Sequence, residues 1–242
     1  MYLNIRDFSS FSNFGLLVKL IFAKLLYRDL ISFSLFYNIA VSLKSSSFES
    51  SNLTVLDIGA NKGQFAFMSS YLLPSAKLIS YEPQHCLESS LISLKKILGS
   101  RFTYHLKAVS SVSKPVAFNC TANHEQSSLL LPLQYSSSQV TVDAIGINDV
   151  LDSIKTDVFL KIDTQGHELQ ILSSIHDRNK HKLKFLLLEA AIFPSYCDQP
   201  TIESLILSLR DDFGFNGVQF VDMLFDKASN YPLECDLLFI RN

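Results

Sequence analysis

Short apolar segments alternate with helical patterns along most of this chain, and that alternation limits the fold more than any other feature. Runs rich in branched aliphatic residues have the form of buried parallel strands and lie at residues 54–58, 77–81, 157–162 and 184–188. Apolar residues at helical spacing occupy residues 63–73, 84–98, 168–175 and 201–211. The alternation predicts an α/β fold with a doubly wound sheet, helices on both faces and right-handed crossovers.

Two parts of the chain depart from this pattern. Residues 102–144 predict one further parallel strand followed by an antiparallel excursion. Near the end, the apolar segments at residues 217–225 and 235–240 flank a turn at residues 229–232. They predict a terminal antiparallel hairpin.

A serine-rich tract at residues 45–51 predicts a linker between two parts of the chain. We expect an N-terminal helical arm and linker over residues 1–51 and a main domain over residues 52–242. A length of 242 residues fits one domain with an appendage. With 48% hydrophobic and 18% charged residues, the main domain can bury a sizeable core.

The arm carries a helical stripe of apolar residues. Its members recur at spacings of three and four: Phe11, Phe14, Val18, Ile21, Phe22 and Leu25. Residues 8–28 are expected to contact the main domain, a second subunit or a membrane surface, the last with Lys19, Lys24 and Arg28 toward lipid head groups. No transmembrane span is expected, because the longest uncharged run, residues 30–43, has 14 residues and a span needs about 20.

Charge and cysteine content restrict partners and compartment. The net charge is −2, which gives no reason to expect a nucleic-acid partner. The cysteines lie far apart at Cys86, Cys120, Cys197 and Cys235, with no CxxC pair. This excludes a zinc knuckle or a dithiol redox motif and favours reduced thiols in a cytoplasmic protein.

The first predicted strand ends in the motif D-x-G-x-N-x-G, formed by Asp57, Gly59, Asn61 and Gly63 with Ala60 inside the turn. Gly59 permits a sharp turn and a close approach of backbone to ligand, and Asn61 tolerates left-handed backbone. A carboxylate at Asp57 would repel a dinucleotide pyrophosphate, whereas it suits a ligand with a cationic amino group. S-adenosylmethionine has that amino group and no phosphate.

The second predicted strand ends in Glu82 and Pro83, 25 residues after Asp57. A carboxylate at this position accepts hydrogen bonds from ribose hydroxyls. Glu82 could instead be only an acid at a helix N-terminus. Taken together, the turn and Glu82 predict S-adenosylmethionine as the cofactor, with Ala108 after the third strand beside the adenine.

Four segments, VLDIGANKGQFA, LISYEP, FLKIDTQGHELQIL and LLLEA, resemble in this order the FkbM-type family of class I S-adenosylmethionine-dependent methyltransferases. The resemblance runs over residues 53–242 and is weak in the loop at 121–138, which should help to set the substrate. It implies a Rossmann-like seven-stranded sheet of order 3-2-1-4-5-7-6 with strand 7 antiparallel. It also implies O-methylation of a hydroxyl on a sugar, a glycan or a secondary metabolite.

A hydroxyl acceptor needs a base or a metal to become nucleophilic. Asp163 and Glu189 end neighbouring strands, so they could position one acceptor hydroxyl or share a divalent cation. His167 is a further base candidate, because imidazole titrates near neutrality. Glu168 is an acid candidate or the cap of the following helix. No HxH or HExxH spacing occurs, so no dedicated zinc site is expected.

Two alternatives belong to other classes of function. The first is an NAD(P)-dependent oxidoreductase, against which stand Asp57 and the absence of G-x-G-x-x-G. The second is a non-catalytic binding protein that keeps the methyltransferase fold. The second alternative requires the loss of catalytic activity, and the presence of Glu82, Asp163 and Glu189 argues against such a loss.

Overall fold

The computed structural model describes residues 33–45 and 52–241. Its strands are β1 (Leu53–Ile58), β2 (Lys77–Tyr81), β3 (Phe102–His105), β4 (Ala108–Ser110), β5 (Val116–Thr121), β6 (Ser137–Val142), β7 (Ala144–Gly146), β8 (Asp157–Ile162), β9 (Leu183–Ala191), β10 (Val218–Phe225) and β11 (Pro232–Ile240). Its α-helices are α1 (Phe33–Ser45), α2 (Gln64–Leu72), α3 (Glu88–Leu98), α4 (Ile147–Ser153), α5 (Glu168–Ser173), α6 (Asp177–Lys180) and α7 (Ile202–Asp211). Short 3-10 helices lie at His85–Leu87, Gly99–Arg101 and His124–Gln126.

The core of the fold is a seven-stranded sheet of order β10-β11-β9-β8-β1-β2-β3. When these seven strands alone are numbered 1 to 7 along the chain, the same order is 3-2-1-4-5-7-6. The five strands from β3 to β9 are parallel, and β11 is antiparallel to both of its neighbours. The predicted α/β class, strand order and terminal hairpin are confirmed.

Helices cover both faces of this sheet because the central strands are apolar on both sides. All six residues of β1 are buried. Leu56 packs with α4, α5 and α7 on one face, while Val55 packs with α1, α2 and α3 on the other. Such strands occur in parallel sheets whose two faces are both covered.

The predicted antiparallel excursion is present between β3 and β8. β5 and β6 form an antiparallel pair, and β4 pairs with β7 in parallel. The segment between β5 and β6 returns to the carboxyl end of the main sheet, since Pro132 forms a β-bridge with Tyr196. It therefore lies beside the region where a ligand would bind.

Helix α1 belongs to the predicted arm and packs against the edge strand β10. Asn38 Nδ2 donates a hydrogen bond to the carbonyl oxygen of Val221 at 2.6 Å, and Ser42 donates to Gln219. Ile39 is fully buried in the core on this face. The domain boundary near residue 51 stays a prediction, and the stripe at residues 11–25 lies outside the described residues. Within 33–45 and 52–241, no helix is long and apolar enough to cross a bilayer.

Candidate active site

A cavity of about 290 Å³ lies at the carboxyl ends of the parallel strands. Ligands of open α/β sheets bind at this edge, near the point where the strand order reverses. Residues that follow β1, β2 and β8 line the cavity, together with residues within β9, β10 and β11. Leu35 of α1 also lines it, so the arm contributes to its wall.

The turn after β1 depends on a glycine. Gly59 has φ +74°, and a Cβ at this position would lie 1.7 Å from the backbone oxygen of Asp163. The backbone nitrogens of Gly59 and Ala60 both donate to the carbonyl oxygen of Tyr81 at 3.0 Å. Asn61 continues the turn with φ 51°. The predicted turn therefore brings backbone to the cavity wall without side chains in the way.

The carboxylate of Glu82 is fixed by backbone donors next to this turn. Asn61 N donates to Glu82 Oε2 at 2.8 Å, and Gln84 N donates to Oε1 at 2.9 Å. Each carboxylate oxygen has a second acceptor site, so the group can still receive two hydroxyls. Burial raises the pKa of Glu82. Pro83 and Ala108 line the same part of the cavity.

The buried Lys161 contacts both the turn after β1 and the residue that follows β8. Lys161 Nζ donates to the carbonyl oxygen of Gly59 at 2.9 Å and lies 3.1 Å from Asp163 Oδ2 and 3.4 Å from Asp57 Oδ1. Burial alone would lower the pKa of Lys161, but Asp163 and Asp57 raise it above its usual value. The lysine therefore carries a positive charge between the turn and the strand end that bears Asp163.

Asp57 is fully buried and does not line the cavity. Besides Lys161, it contacts Ser80, whose hydroxyl donates to Oδ2 at 3.2 Å. Burial raises the pKa of Asp57, and Lys161 opposes that shift. Gly63 also lies outside the cavity lining, where a Cβ would lie 2.6 Å from Leu94 Cδ2.

Gln165 connects the two predicted catalytic acids. Its Nε2 donates to Asp163 Oδ1 at 3.1 Å and to Glu189 Oε2 at 2.5 Å. Its Oε1 lies 3.0 Å from the hydroxyl of Tyr196. The backbone of Gln165 is left-handed, with φ 57°, and Gly166 follows with φ 102°. This loop holds the amide between the two carboxyl groups.

The site continues from Glu189 as a row of acids across the antiparallel strands. Asp236 of β11 lies directly opposite Glu189, and Asp222 of β10 lies directly opposite Asp236. All three line the cavity. Burial, with Asp163 and Asp222 nearby, raises the pKa of Asp236 to about 7. Burial and Asp163 raise the pKa of Glu189 well above its usual range.

A model of the Methyltransferase FkbM domain matches residues 57–217, more than half of the chain. The chain belongs to the FkbM methyltransferase family. It is therefore a methyltransferase, and S-adenosylmethionine is the cofactor that the family implies. This assignment favours methyl transfer over the oxidoreductase alternative.

Solved structures that are similar to this FkbM methyltransferase at low identity include other methyltransferases. A precorrin-6y C5,15-methyltransferase from Geobacter metallireducens GS-15 is 15% identical, with 84% of this chain and 87% of that chain covered and a TM-score of 0.45. The human methyltransferase 10 domain containing protein is 13% identical, with 87% and 84% covered and a TM-score of 0.46. Likenesses of this size carry no information on the substrate. No curated protein sequence matches the chain.

Neither Glu168 nor His167 of the methyltransferase lines the cavity. Glu168 is buried and accepts hydrogen bonds from the backbone nitrogens of Thr164 at 2.8 Å and Gly166 at 3.1 Å, so it closes the loop that carries Gln165. His167 does not line the cavity, and burial lowers its pKa to about 4. Its Nδ1 is buried with no hydrogen-bond partner. A catalytic role for His167 stays a prediction.

The predicted divalent cation has no support in the described part of the FkbM methyltransferase. Over residues 33–45 and 52–241, no group of three or more histidine, cysteine, aspartate or glutamate side chains is placed to hold a metal ion. The amide of Gln165 occupies the position between Asp163 and Glu189 that a shared cation would need.

Most predicted site residues of the methyltransferase line one cavity. These are Gly59, Ala60, Asn61, Glu82, Pro83, Ala108, Asp163 and Glu189. Gln165, Asp222 and Asp236 also line the cavity but were not predicted from the sequence. The two aspartates carried a weak signal, since each is an acid inside an otherwise apolar strand segment. Lys161 is likewise a charged residue inside an otherwise apolar segment of β8.

Proposed function

We propose that the protein transfers a methyl group from S-adenosylmethionine to a hydroxyl oxygen of a small-molecule or glycan acceptor. The observation that carries this proposal is the division of one cavity into two chemically different ends. The turn at Gly59 and the carboxylate of Glu82 form one end, and the acids around Glu189 form the other. Lys161 lies between them.

The first end suits an adenosine and an amino-acid group. Glu82 keeps free acceptor positions for ribose hydroxyls, and Ala108 offers a small apolar surface for the adenine. Lys161 and Asp163 present both signs of charge to the cavity, which fits the zwitterionic methionine portion of the donor. Asp57 would act here by holding Lys161. When bound, S-adenosylmethionine supplies a methyl group activated by its sulfonium.

The second end suits an acceptor hydroxyl. Glu189 is assigned as the general base, because a carboxylate whose pKa is raised is a stronger base near neutral pH. As the oxygen–methyl bond forms and the carbon–sulfur bond breaks, the hydroxyl proton passes to Glu189. Asp163 and Gln165 would fix the direction of that carboxylate, and positioning supplies much of the rate in such a displacement.

A methyl-transfer screen tests this proposal. The purified protein is incubated with methyl-labelled S-adenosylmethionine and separate panels of sugars, hydroxylated natural products, amines and RNA. We expect base-stable methyl ethers from a hydroxyl panel, and rates that rise with pH through the raised pKa of Glu189 and are lost in Glu189→Gln. Products confined to amines or RNA would contradict a hydroxyl acceptor. Donor binding without turnover on any panel would favour the non-catalytic alternative.

A further inference from the structure

A recess lined by residues of β9, β10 and β11 adjoins the acceptor end of the cavity. Its volume is about 380 Å³. Three of its four acids also line the cavity, so a ligand could extend from one space into the other. Among the lining residues that the structure describes, none is a lysine, an arginine or a histidine. The acids of the recess are Glu189, Asp222, Glu234 and Asp236.

Two of these acids have no hydrogen-bond donor of their own. In the described part of the chain, no group donates to the carboxyl of Asp236 or of Glu234, and neither carboxyl forms an ion pair. Asp236 is largely withdrawn from solvent, and this burial, with Asp163 nearby, raises its pKa to about 7. A carboxyl group that is buried without a partner carries a desolvation cost, which a bound cation would offset.

The acids are spread along the sheet, which favours an organic cation over a metal ion. Asp236 lies opposite Glu189 across β9 and β11, and Asp222 lies opposite Asp236 across β10 and β11. Residues at such positions have Cα atoms about 4.5–5.5 Å apart. No group of three or more possible metal ligands converges on one point in the described residues. An ammonium group instead forms hydrogen bonds of about 2.7–2.9 Å to carboxylates, so separated carboxylates can bind it.

An amine bound in this recess would stay protonated, because carboxyl groups close to it favour its charged form. A protonated amine has no lone pair with which to attack a methyl group. The nucleophile would therefore remain a hydroxyl beside Glu189, as in the proposed function. Lys161 does not supply the missing positive charge to the recess, since it is already paired with Asp57 and Asp163.

We propose that the recess binds a cationic amino group of the acceptor, so that the substrate class is an amino sugar or another amine-bearing polyhydroxyl compound. Asp236 and Glu234 bind the ammonium, while the reacting hydroxyl lies at Glu189. Met223 and Leu224 offer apolar surface to the carbon frame next to the ammonium. The assignment of the hydroxyl rests on the proposed function, whereas the binding of the ammonium does not require methyl transfer.

Calorimetric titration of the full chain at about pH 7, without a methyl donor, tests the recess. The probes are two matched pairs, glucamine with sorbitol and glucosamine with N-acetylglucosamine. In each pair only the first compound has a cationic amino group. We expect each amine to bind about tenfold or more tightly than its uncharged counterpart, because charge-assisted hydrogen bonds are about twice as strong as neutral ones.

One substitution removes the charge of the recess with little change of shape. Asp236→Asn should weaken the binding of both amines about tenfold or more and leave the binding of the uncharged probes unchanged. The matched control is Asp212→Asn, at an exposed aspartate, which should leave all four affinities unchanged. Thermal unfolding checks that each variant is folded, and Glu234→Gln replaces Asp236→Asn if the latter does not fold.

The outcomes separate this inference from the proposed function. Equal affinities within each pair would overturn the inference, as would a failure of both amines to bind or amine binding that Asp236→Asn leaves unchanged. Methyl ethers formed only on uncharged acceptors would also overturn it, while the proposed function would stand. Amine binding that requires Asp236, in a protein that methylates no hydroxyl, would support the recess as an ammonium site and contradict the proposed function.

Discussion

Glu189 and Asp236 lie directly opposite each other across the antiparallel pair β9–β11, and both carboxyl groups line the same cavity. Desolvation raises the pKa of both acids, and the nearby Asp163 adds to each shift. The cavity therefore holds protons at pH values where isolated carboxyl groups have lost them. This has consequences for stability as well as for catalysis.

Stability should fall as the pH rises toward neutrality. The pKa of Asp236 is about 7 in the folded protein, against about 3.9 for an unfolded aspartate, so the folded state binds the extra proton between these values. We expect Asp236→Asn to reduce the loss of unfolding free energy between pH 5 and pH 7.5 by about 2 kcal/mol. Urea unfolding at both pH values measures it. Asp212→Asn, at an exposed aspartate, is the control, and an equal effect of the two variants would contradict the raised pKa of Asp236.

Gln165 should affect turnover more than donor binding. Its amide holds Asp163 and Glu189, and asparagine tolerates the left-handed backbone while being too short to reach both carboxyl groups. We expect Gln165→Asn to lower kcat by about 10- to 100-fold, since small misplacements of catalytic groups have effects of this size. The affinity for S-adenosylhomocysteine should change little. Equal losses in both quantities would assign Gln165 to the cofactor end.

Lys161 should be required for stability because Asp57 is fully buried beside it. Lys161→Met leaves that carboxyl without its cation, and we expect a loss of about 3–5 kcal/mol in unfolding free energy. The double variant Lys161→Met with Asp57→Asn should recover part of the loss, because the unpaired buried charge is also removed. Urea unfolding of both variants measures this. A double variant no more stable than the single one would mean that Lys161 acts mainly through Asp163 and Gly59.

Removal of the arm should show where the folded unit begins. The boundary proposed near residue 51 requires residues 52–242 to fold alone, but Ile39 and Phe36 of α1 are buried against the main domain. We expect deletion of residues 1–51 to leave a folded domain that is less stable than the 33–242 protein by about 3 kcal/mol or more, the burial energy of two such side chains. Equal stability of the two truncated proteins would mean that α1 adds nothing to the core.

The strands that form the centre of the sheet were predictable because they carry their signal locally. Residues 54–58 are apolar and branched, and Gly59 follows at once, so both the strand and the turn could be inferred. Glu82 was recognisable for the same reason, as an acid at the end of such a strand. Their proximity followed from one general property, that parallel strands end at a common edge.

Contacts that depend on the pairing of distant strands could not be predicted. Asp236 meets Glu189 only because β11 inserts between β9 and β10 in one particular register, and a slip of one residue would turn its side chain to the other face. The pairing of Asp57 with Lys161 likewise needs β8 beside β1. The contact between α1 and β10 could not be predicted either, because α1 lies outside the apolar stripe at residues 11–25 that the sequence indicated.

Calorimetric titration of the full chain with S-adenosylhomocysteine, with NAD as the parallel control, tests the central claim most directly. We predict saturable binding of S-adenosylhomocysteine and none of NAD. Glu82→Gln should weaken that binding by about 1.5–3 kcal/mol, because the charged acceptor of the ribose hydroxyls is lost. Binding of NAD, or no binding of S-adenosylhomocysteine by the folded protein, would contradict the assignment of this cavity to a methyl donor.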